Sequence, residues 1–299
     1  MTKDKQPVAV IGLGNLGGSV ARHLAETGYP TTGYDPSPQA QSRAAAAGVT
    51  IGETAAAAVR AADVVITSLP DGSAVREVWL GDGGLVESAK PGTYVVELST
   101  IGPETMLEVG RPAAAAGLRV IDAPVSGGPM EAVKGELVVI VGGAEEDVEA
   151  IRPLLTDVGS AVHFSGPVGT AKTVKLVNNL ITNATVLISA EAFQVGIAAG
   201  LEPRHLFNLL SQMGGGKSHH FQKRFPWALE GDYHARFSIK LAEKDFRLGL
   251  ELGQWAGVPT PAAATMRAIY SIAMAEGMGD DDIVGLVQLY ERWTMPQNH

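Results

Sequence analysis

The chain has 299 residues, 45% of them hydrophobic and 18% charged, and a formal net charge of −9. That length holds one large domain or two ordinary ones, with enough apolar material for real cores. The acidity argues against general binding of nucleic acid or anionic membranes. The lack of cysteine excludes a disulfide framework, thiolate chemistry and zinc–thiolate sites, and it fits a reducing compartment.

The opening MTKDKQP lacks the apolar stretch of a signal peptide. Short apolar runs then alternate with helical patterns: VAVIG (8–12) before a helix at 15–27, and TTGYD (31–35) before a helix at 37–47. The runs DVVITSLP (63–70), TYVVELS (93–99), RVIDAPV (119–125), LVVIVGG (137–143) and AVHFSG (161–166) continue the series. Val- and Ile-rich strands alternating with helices specify βαβ units, so the fold class is α/β with a mostly parallel, doubly wound sheet. Beyond about 165 the strand pattern stops, and helices are expected at 169–199, 203–213, 238–257, 260–276 and 283–293. The most apolar of these regions, 176–199, is interrupted by Asn178, Asn179, Asn183, Glu191 and Gln194, so no membrane span is expected. The domain reading is a nucleotide-binding α/β domain over 1–166 and an all-helical domain over 167–299, which carries the substrate and assembly contacts. A long helix joins them. A cytoplasmic location is expected.

The first strand ends in Gly12-Leu13-Gly14-Asn15-Leu16-Gly17, a GxGxxG between an apolar strand and an apolar-periodic helix. Gly12 permits the tight turn, Gly14 the approach of a pyrophosphate, and Gly17 close helix–strand packing, as in a Rossmann-type dinucleotide site. The phosphate charge is met by the free N–H groups and dipole of the helix N-terminus. Asp35 ends the second strand, where a ribose-binding carboxylate belongs. It can accept both ribose hydroxyls of NAD but repels the extra phosphate of NADP, and the nearest arginine is Arg43. NAD is the expected cofactor, with NADP the other candidate.

Two further stretches carry polar residues where apolar ones are expected. Ser126, Gly127 and Gly128 follow a strand at the carboxyl edge of the sheet, where open α/β folds bind ligands. Their backbone N–H groups can hold a carboxylate; they can equally be a sharp turn needing positive φ. In VGTAKTVKLVNNLI (168–181), Lys175, Asn178 and Asn179, with Thr182 just beyond, recur at i, i+3, i+4 and i+7, a polar stripe on an otherwise apolar helix. An amine buried beside two amides is costly unless each finds a partner. By itself the lysine reads as a snorkelling helix residue.

Four stretches resemble the β-hydroxyacid dehydrogenases, the family of 3-hydroxyisobutyrate dehydrogenase: GLGNLG (12–17), DAPVSGG (122–128), GTAKTVKLVNN (169–179) and EKDFRLGLELG (243–253). Together they span nearly the whole chain in the family's order. The resemblance implies that Lys175, rather than Lys172, is the catalytic acid/base and that Asn179 orients substrate and lysine. It implies that Ser126, Gly127 and Gly128 bind the substrate carboxylate, and that Leu69, Pro70 and Thr100 line the cofactor. Lys244 is expected to reach the cofactor from the helical domain, and a homodimer or homotetramer through that domain is expected. A lysine suits the chemistry, because hydride exchange at an alcohol carbon needs a partner for the hydroxyl proton. Partial burial or a neighbouring cation brings its proton affinity toward working pH.

The expected activity is NAD-preferring oxidation of a small 3-hydroxy acid of the 3-hydroxyisobutyrate kind. The alternatives are reduction of tartronate, glyoxylate or succinic semialdehyde, imine reduction, and non-catalytic dinucleotide binding. Imine-reducing relatives usually replace the lysine, which this chain retains. GGGKS (214–218) lacks the first glycine of a P-loop, since position 211 is Ser211, and no strand leads into it. His219 and His220 are adjacent and cannot share a helix face as paired zinc ligands do, and no metal is expected. Asp280-Asp281-Asp282 lacks calcium-loop spacing and reads as a helix cap.

Overall fold

The computed structural model describes residues 5–294. By packing, the chain divides into two compact units, Met1–Lys175 and Leu176–His299, so the boundary falls inside the long helix rather than ahead of it. The first unit holds nine strands among its described residues: β1 (Val8–Ile11), β2 (Thr31–Tyr34), β3 (Thr50–Ile51), β4 (Val64–Thr67), β5 (Tyr94–Glu97), β6 (Arg119–Asp122), β7 (Val125–Ser126), β8 (Leu137–Gly142) and β9 (Gly159–Gly166). Their order is β3-β2-β1-β4-β5-β6-β8-β7, with β9 beside β8. The first six are parallel, and β8 runs antiparallel to β6 and β7. This is the expected doubly wound α/β fold.

The sheet is buried on both faces, which is why its strands read as unbroken apolar runs. Val8, Val10, Val64, Ile66, Val96 and Ile121 enter one core, while Ala9, Ile11, Val65, Val95 and Val120 enter the other. Successive side chains thus leave opposite faces of each strand. The run 119–125 breaks at Ala123-Pro124 into β6, which pairs with β5 and meets β8 only at Asp122, and β7, which pairs with β8 and not with β5. Proline has no N–H for the ladder, so the chain changes partner there.

In the second unit the helices Pro203–Leu210, His219–Leu229, Ile239–Trp255, Pro261–Ala275 and Leu286–Trp293 pack with the later turns of the long helix Thr170–Ala198. Val186, Leu187, Ala190, Phe193, Phe221, Phe225, Phe246 and Tyr270 share one core. The helix His219–Leu229 was not expected, since Pro226 lies inside it. An interior proline opposes a helix by about 3 kcal/mol. Burial of Phe221 and Phe225, against Phe193 and one another, offsets this at roughly 1.5–3 kcal/mol each. The cap expected at Asp280–Asp282 falls to Asp282, which accepts the Val284 N–H at the head of the turn Ile283–Gly285.

The long helix corrects one expectation. By length and composition alone it is apolar enough to cross a membrane, because its amides are too dispersed to outweigh the Val, Ile, Leu and Ala between them. A third of that apolar window is buried within the protein. Its exposed apolar residues are Val174, Val177, Ile181, Ile188 and Val195, and all but Val177 recur every seventh position.

Candidate active site

β1 delivers the chain into the glycine-rich turn. Gly12 has φ 93°, and a Cβ there would lie 2.2 Å from the Ser68 carbonyl oxygen. A Cβ on Gly17 would lie 2.0 Å from the Gly12 carbonyl oxygen, so this residue sets how closely the helix Asn15–Glu26 sits against the turn. Around Gly14 no atom comes within 4 Å of such a Cβ, and no side chain caps the helix that starts beside it. Open space next to uncapped N–H groups fits the pyrophosphate of a dinucleotide. Asp35, directly after β2, accepts the Leu13 N–H at 2.7 Å through Oδ2 and the Ser37 N–H at 2.8 Å through Oδ1. Ribose would therefore meet a carboxylate already fixed to the turn. The Leu13 side chain is buried in the core, so its part in this site is its backbone. Asn15 is exposed and Leu16 packs partly against the core.

Leu69 follows β4 and reaches the same turn, its Cδ2 3.2 Å from where a Gly12 Cβ would stand. Its N–H donates to Ser99 Oγ at 2.7 Å, which ties the segment after β4 to the one after β5. Pro70 is exposed and Thr100 half-buried, each one step beyond these tied residues.

Beneath this edge lies a polar row that sequence reasoning missed. Thr67, Glu97 and Asp122 end β4, β5 and β6 in register, and all three are fully buried. Glu97 accepts the Thr67 hydroxyl and the Ser99 N–H. The first turn of the long helix brings Lys172, also fully buried, whose ammonium donates to the carbonyl oxygens of Glu97 (2.6 Å) and Ser99 (2.9 Å). Its Nζ stands 4.0 Å from Glu97 Oε1. Asp122 Oδ2 accepts the Lys172 N–H at 3.2 Å, while Oδ1 has no hydrogen-bond partner. Burial pushes the Asp122 carboxyl up from its ordinary range, opposed by the Lys172 charge. Burial likewise pulls the Lys172 ammonium down, opposed by Glu97 and Asp122 and assisted by the like charge of Lys175. The signal was available: VVIT, YVVE and RVID are apolar strands that each end in a polar residue.

Ser126 closes β7 and is half-buried. Gly127 has φ 114°, so the turn reading of this segment is real. Gly128 donates its N–H to Glu131 Oε2 at 2.9 Å, which leaves the Ser126 hydroxyl and the Gly127 backbone as the groups there to meet a carboxylate. On the long helix Lys175 is half-buried, one turn past Lys172. Asn179, four positions on, is buried, and its Nδ2 donates to the buried Asp245 Oδ2 at 2.7 Å. Asp245 lies on the helix Ile239–Trp255 directly after Lys244, which is half-buried. Further along the stripe, Thr182 Oγ1 lies 3.2 Å from His220 Nε2.

Comparison with known proteins gives this arrangement a family. Residues 7–166 match the model of the NAD binding domain of 6-phosphogluconate dehydrogenase, and residues 169–290 match that of the NAD-binding region of NADP-dependent 3-hydroxyisobutyrate dehydrogenase. The chain belongs to the β-hydroxyacid dehydrogenase family. As a β-hydroxyacid dehydrogenase it is a dinucleotide-binding protein of the NAD(P) class. It is 33% identical to 3-hydroxyisobutyrate dehydrogenase of Pseudomonas aeruginosa, over 89% of this chain and 91% of that one. It is 31% identical to 2-(hydroxymethyl)glutarate dehydrogenase of Eubacterium barkeri, over 96% and 95% of the two chains. The solved Mycobacterium tuberculosis 3-hydroxyisobutyrate dehydrogenase with L-serine superposes with a TM-score of 0.87 at 30% identity, covering 96% of this chain and 99% of that one.

Proposed function

We propose that this β-hydroxyacid dehydrogenase oxidises acids of the form HOCH2–CH(R)–COO⁻ to the corresponding aldehydes with NAD, 3-hydroxyisobutyrate being the leading substrate. The compounds named with its relatives support this class. 3-Hydroxyisobutyrate, 2-(hydroxymethyl)glutarate and L-serine all carry a primary alcohol one carbon away from the carbon that bears the carboxylate. They differ only in R.

One observation carries the assignment of roles: Lys175 and Asn179 occupy one helix face a turn apart, with the amide oriented by Asp245. Bound nicotinamide supplies the hydride acceptor. Lys175 in its neutral form takes the alcohol proton, and in its protonated form returns it when the aldehyde is reduced. Asn179, its Nδ2 held by Asp245 and its Oδ1 accepting from Asn178 Nδ2, orients substrate and amine from the next turn. The Ser126 hydroxyl and Gly127 backbone hold the carboxylate, a shared handle that leaves R to set preference. Asp35 favours NAD over NADP by charge. Association of copies through the helical unit belongs to the same reading and is supported by the exposed apolar residues Val177, Ile181, Ile188 and Val195.

Steady-state oxidation of a panel of 2- and 3-hydroxy acids with NAD and NADP tests the proposal. Activity should concentrate on HOCH2–CH(R)–COO⁻ acids, and NAD should be preferred. Lys175→Met should lower kcat by about 10²–10⁴-fold with NAD affinity kept. Lys175→Arg should do nearly as badly, since a guanidinium does not release its proton at usable pH. A Lys175→Met enzyme with a tenth or more of parental turnover overturns the proton role, and a preference for NADP overturns the Asp35 assignment.

A further inference from the structure

We propose that Lys172 is a positioning residue for Lys175: a buried amine, fastened to the ends of two strands one helical turn before it, that holds the reactive amine in place and sets a like charge beside it. The inference rests on the reading of Lys175 as the proton carrier.

The geometry is that of a built anchor. Lys172 is 0% exposed, and its Nζ bonds two backbone carbonyl oxygens, those of Glu97 and Ser99, which belong to the rigid carboxyl end of β5. Its own N–H is held by Asp122 at the end of β6. Both ends of the residue are therefore pinned to the sheet, so the first turn of the helix cannot slide or rotate against the strands. Lys175 stands three positions on, hence on the same face. No helical lysine needs such a site for solubility, since burying an ammonium is unfavourable without full pairing.

The second half of the argument is charge. The charged groups that face Lys172 are Glu97 from β5, Asp122 from β6 and Lys175 from its own helix; Thr67 and Trp79 complete the polar network around Glu97 as neutral donors. The like charges of Lys172 and Lys175 disfavour each other, and the strand carboxylates oppose the lowering that burial imposes on Lys172. Two charges one turn apart in a protein-like medium shift each other by roughly one pH unit. Loss of the Lys172 charge must raise the proton affinity of Lys175.

The experiment reads Lys175 twice in the full-length protein. Its ionisation is followed directly by the pH dependence of its 13C resonance after reductive methylation, assigned by absence in Lys175→Met, and independently by the pH profile of kcat for oxidation. Lys172→Gln keeps two donors for the carbonyls but removes the charge, and should move both midpoints up by roughly one pH unit. Lys172→Arg keeps the charge and should leave them near the parent. Lys172→Met removes the charge together with both donors, should move them up in the same way, and stands as the test if Lys172→Gln does not fold. Unmoved resonance midpoints, or the same displacement in all three variants, overturn the inference and leave Lys172 a purely structural anchor. If the resonance moves as stated while the kcat profile does not follow, the conditioning by Lys172 stands and Lys175 is not the proton carrier.

Discussion

Gly14 and Gly17 are three positions apart in one motif, yet a methyl group at each meets opposite surroundings. At Gly17 it would collide with the Gly12 carbonyl, whose turn cannot move without breaking contact with β4. Overpacking of this kind typically removes 1–3 kcal/mol, so Gly17→Ala should melt several degrees below the parent. At Gly14 the methyl would enter empty space, and φ −60° suits alanine. Gly14→Ala should keep its melting temperature to within roughly 2 °C while NAD binds about tenfold more weakly or worse, as fluorescence titration would read. Undiminished NAD affinity in Gly14→Ala would show that the phosphates lie elsewhere. Residues of this kind are legible in a sequence because their spacing encodes a backbone path. Lys172 was not. A lysine in GTAKTVK reads as one of two amines on neighbouring turns, and only the strand ends, far away in sequence, show that one is an anchor.

The elements were legible where burial follows a single period. β1, β4 and β5 are unbroken apolar runs, and the helices Ile239–Trp255 and Pro261–Ala275 lie within a residue or two of the spans their patterns imply. The two-residue β3 is too short to show a pattern, and His219–Leu229 was hidden by Pro226 and a preceding glycine run. What places that helix is a long-range partner. Arg224 on it donates through Nη1 to both carboxylate oxygens of Asp282, each at 2.7 Å. The same carboxylate takes the N–H groups of Arg236, Phe237 and Val284. One fully buried side chain thus gathers three segments of the second unit. Asp282→Asn removes the charge that pairs Arg224 and should destabilise the protein by about 3–5 kcal/mol in urea unfolding. A loss below about 1 kcal/mol would mean that apolar packing alone positions the helix.

At the scale of the whole molecule, stability should depend on pH through His220. Burial is the main cause that lowers its pKa from 6.5 to about 4, assisted by the charges of Arg224, His219 and Lys223. Between those two values the unfolded chain takes up a proton that the folded chain refuses, so stability falls as pH drops through that window. Asp122 acts with the opposite sign: its carboxyl is raised in the folded state, so its contribution weakens as pH rises above 3.8. The melting temperature should therefore decline from pH 7 to 5, and His220→Gln should flatten that decline. Equal declines in the two proteins would assign the acid sensitivity to other groups.

The division between the two compact units passes between Lys175 and Leu176, through the middle of hydrogen-bonded turns. The helix that crosses it has 29 residues, no proline, and a single glycine, Gly196, near its far end. Lys175 and Asn179, four positions apart on that helix, are therefore spaced by helical pitch, as marks on a ruler. Side chains elsewhere in the chain can therefore change without altering the distance between that amine and that amide.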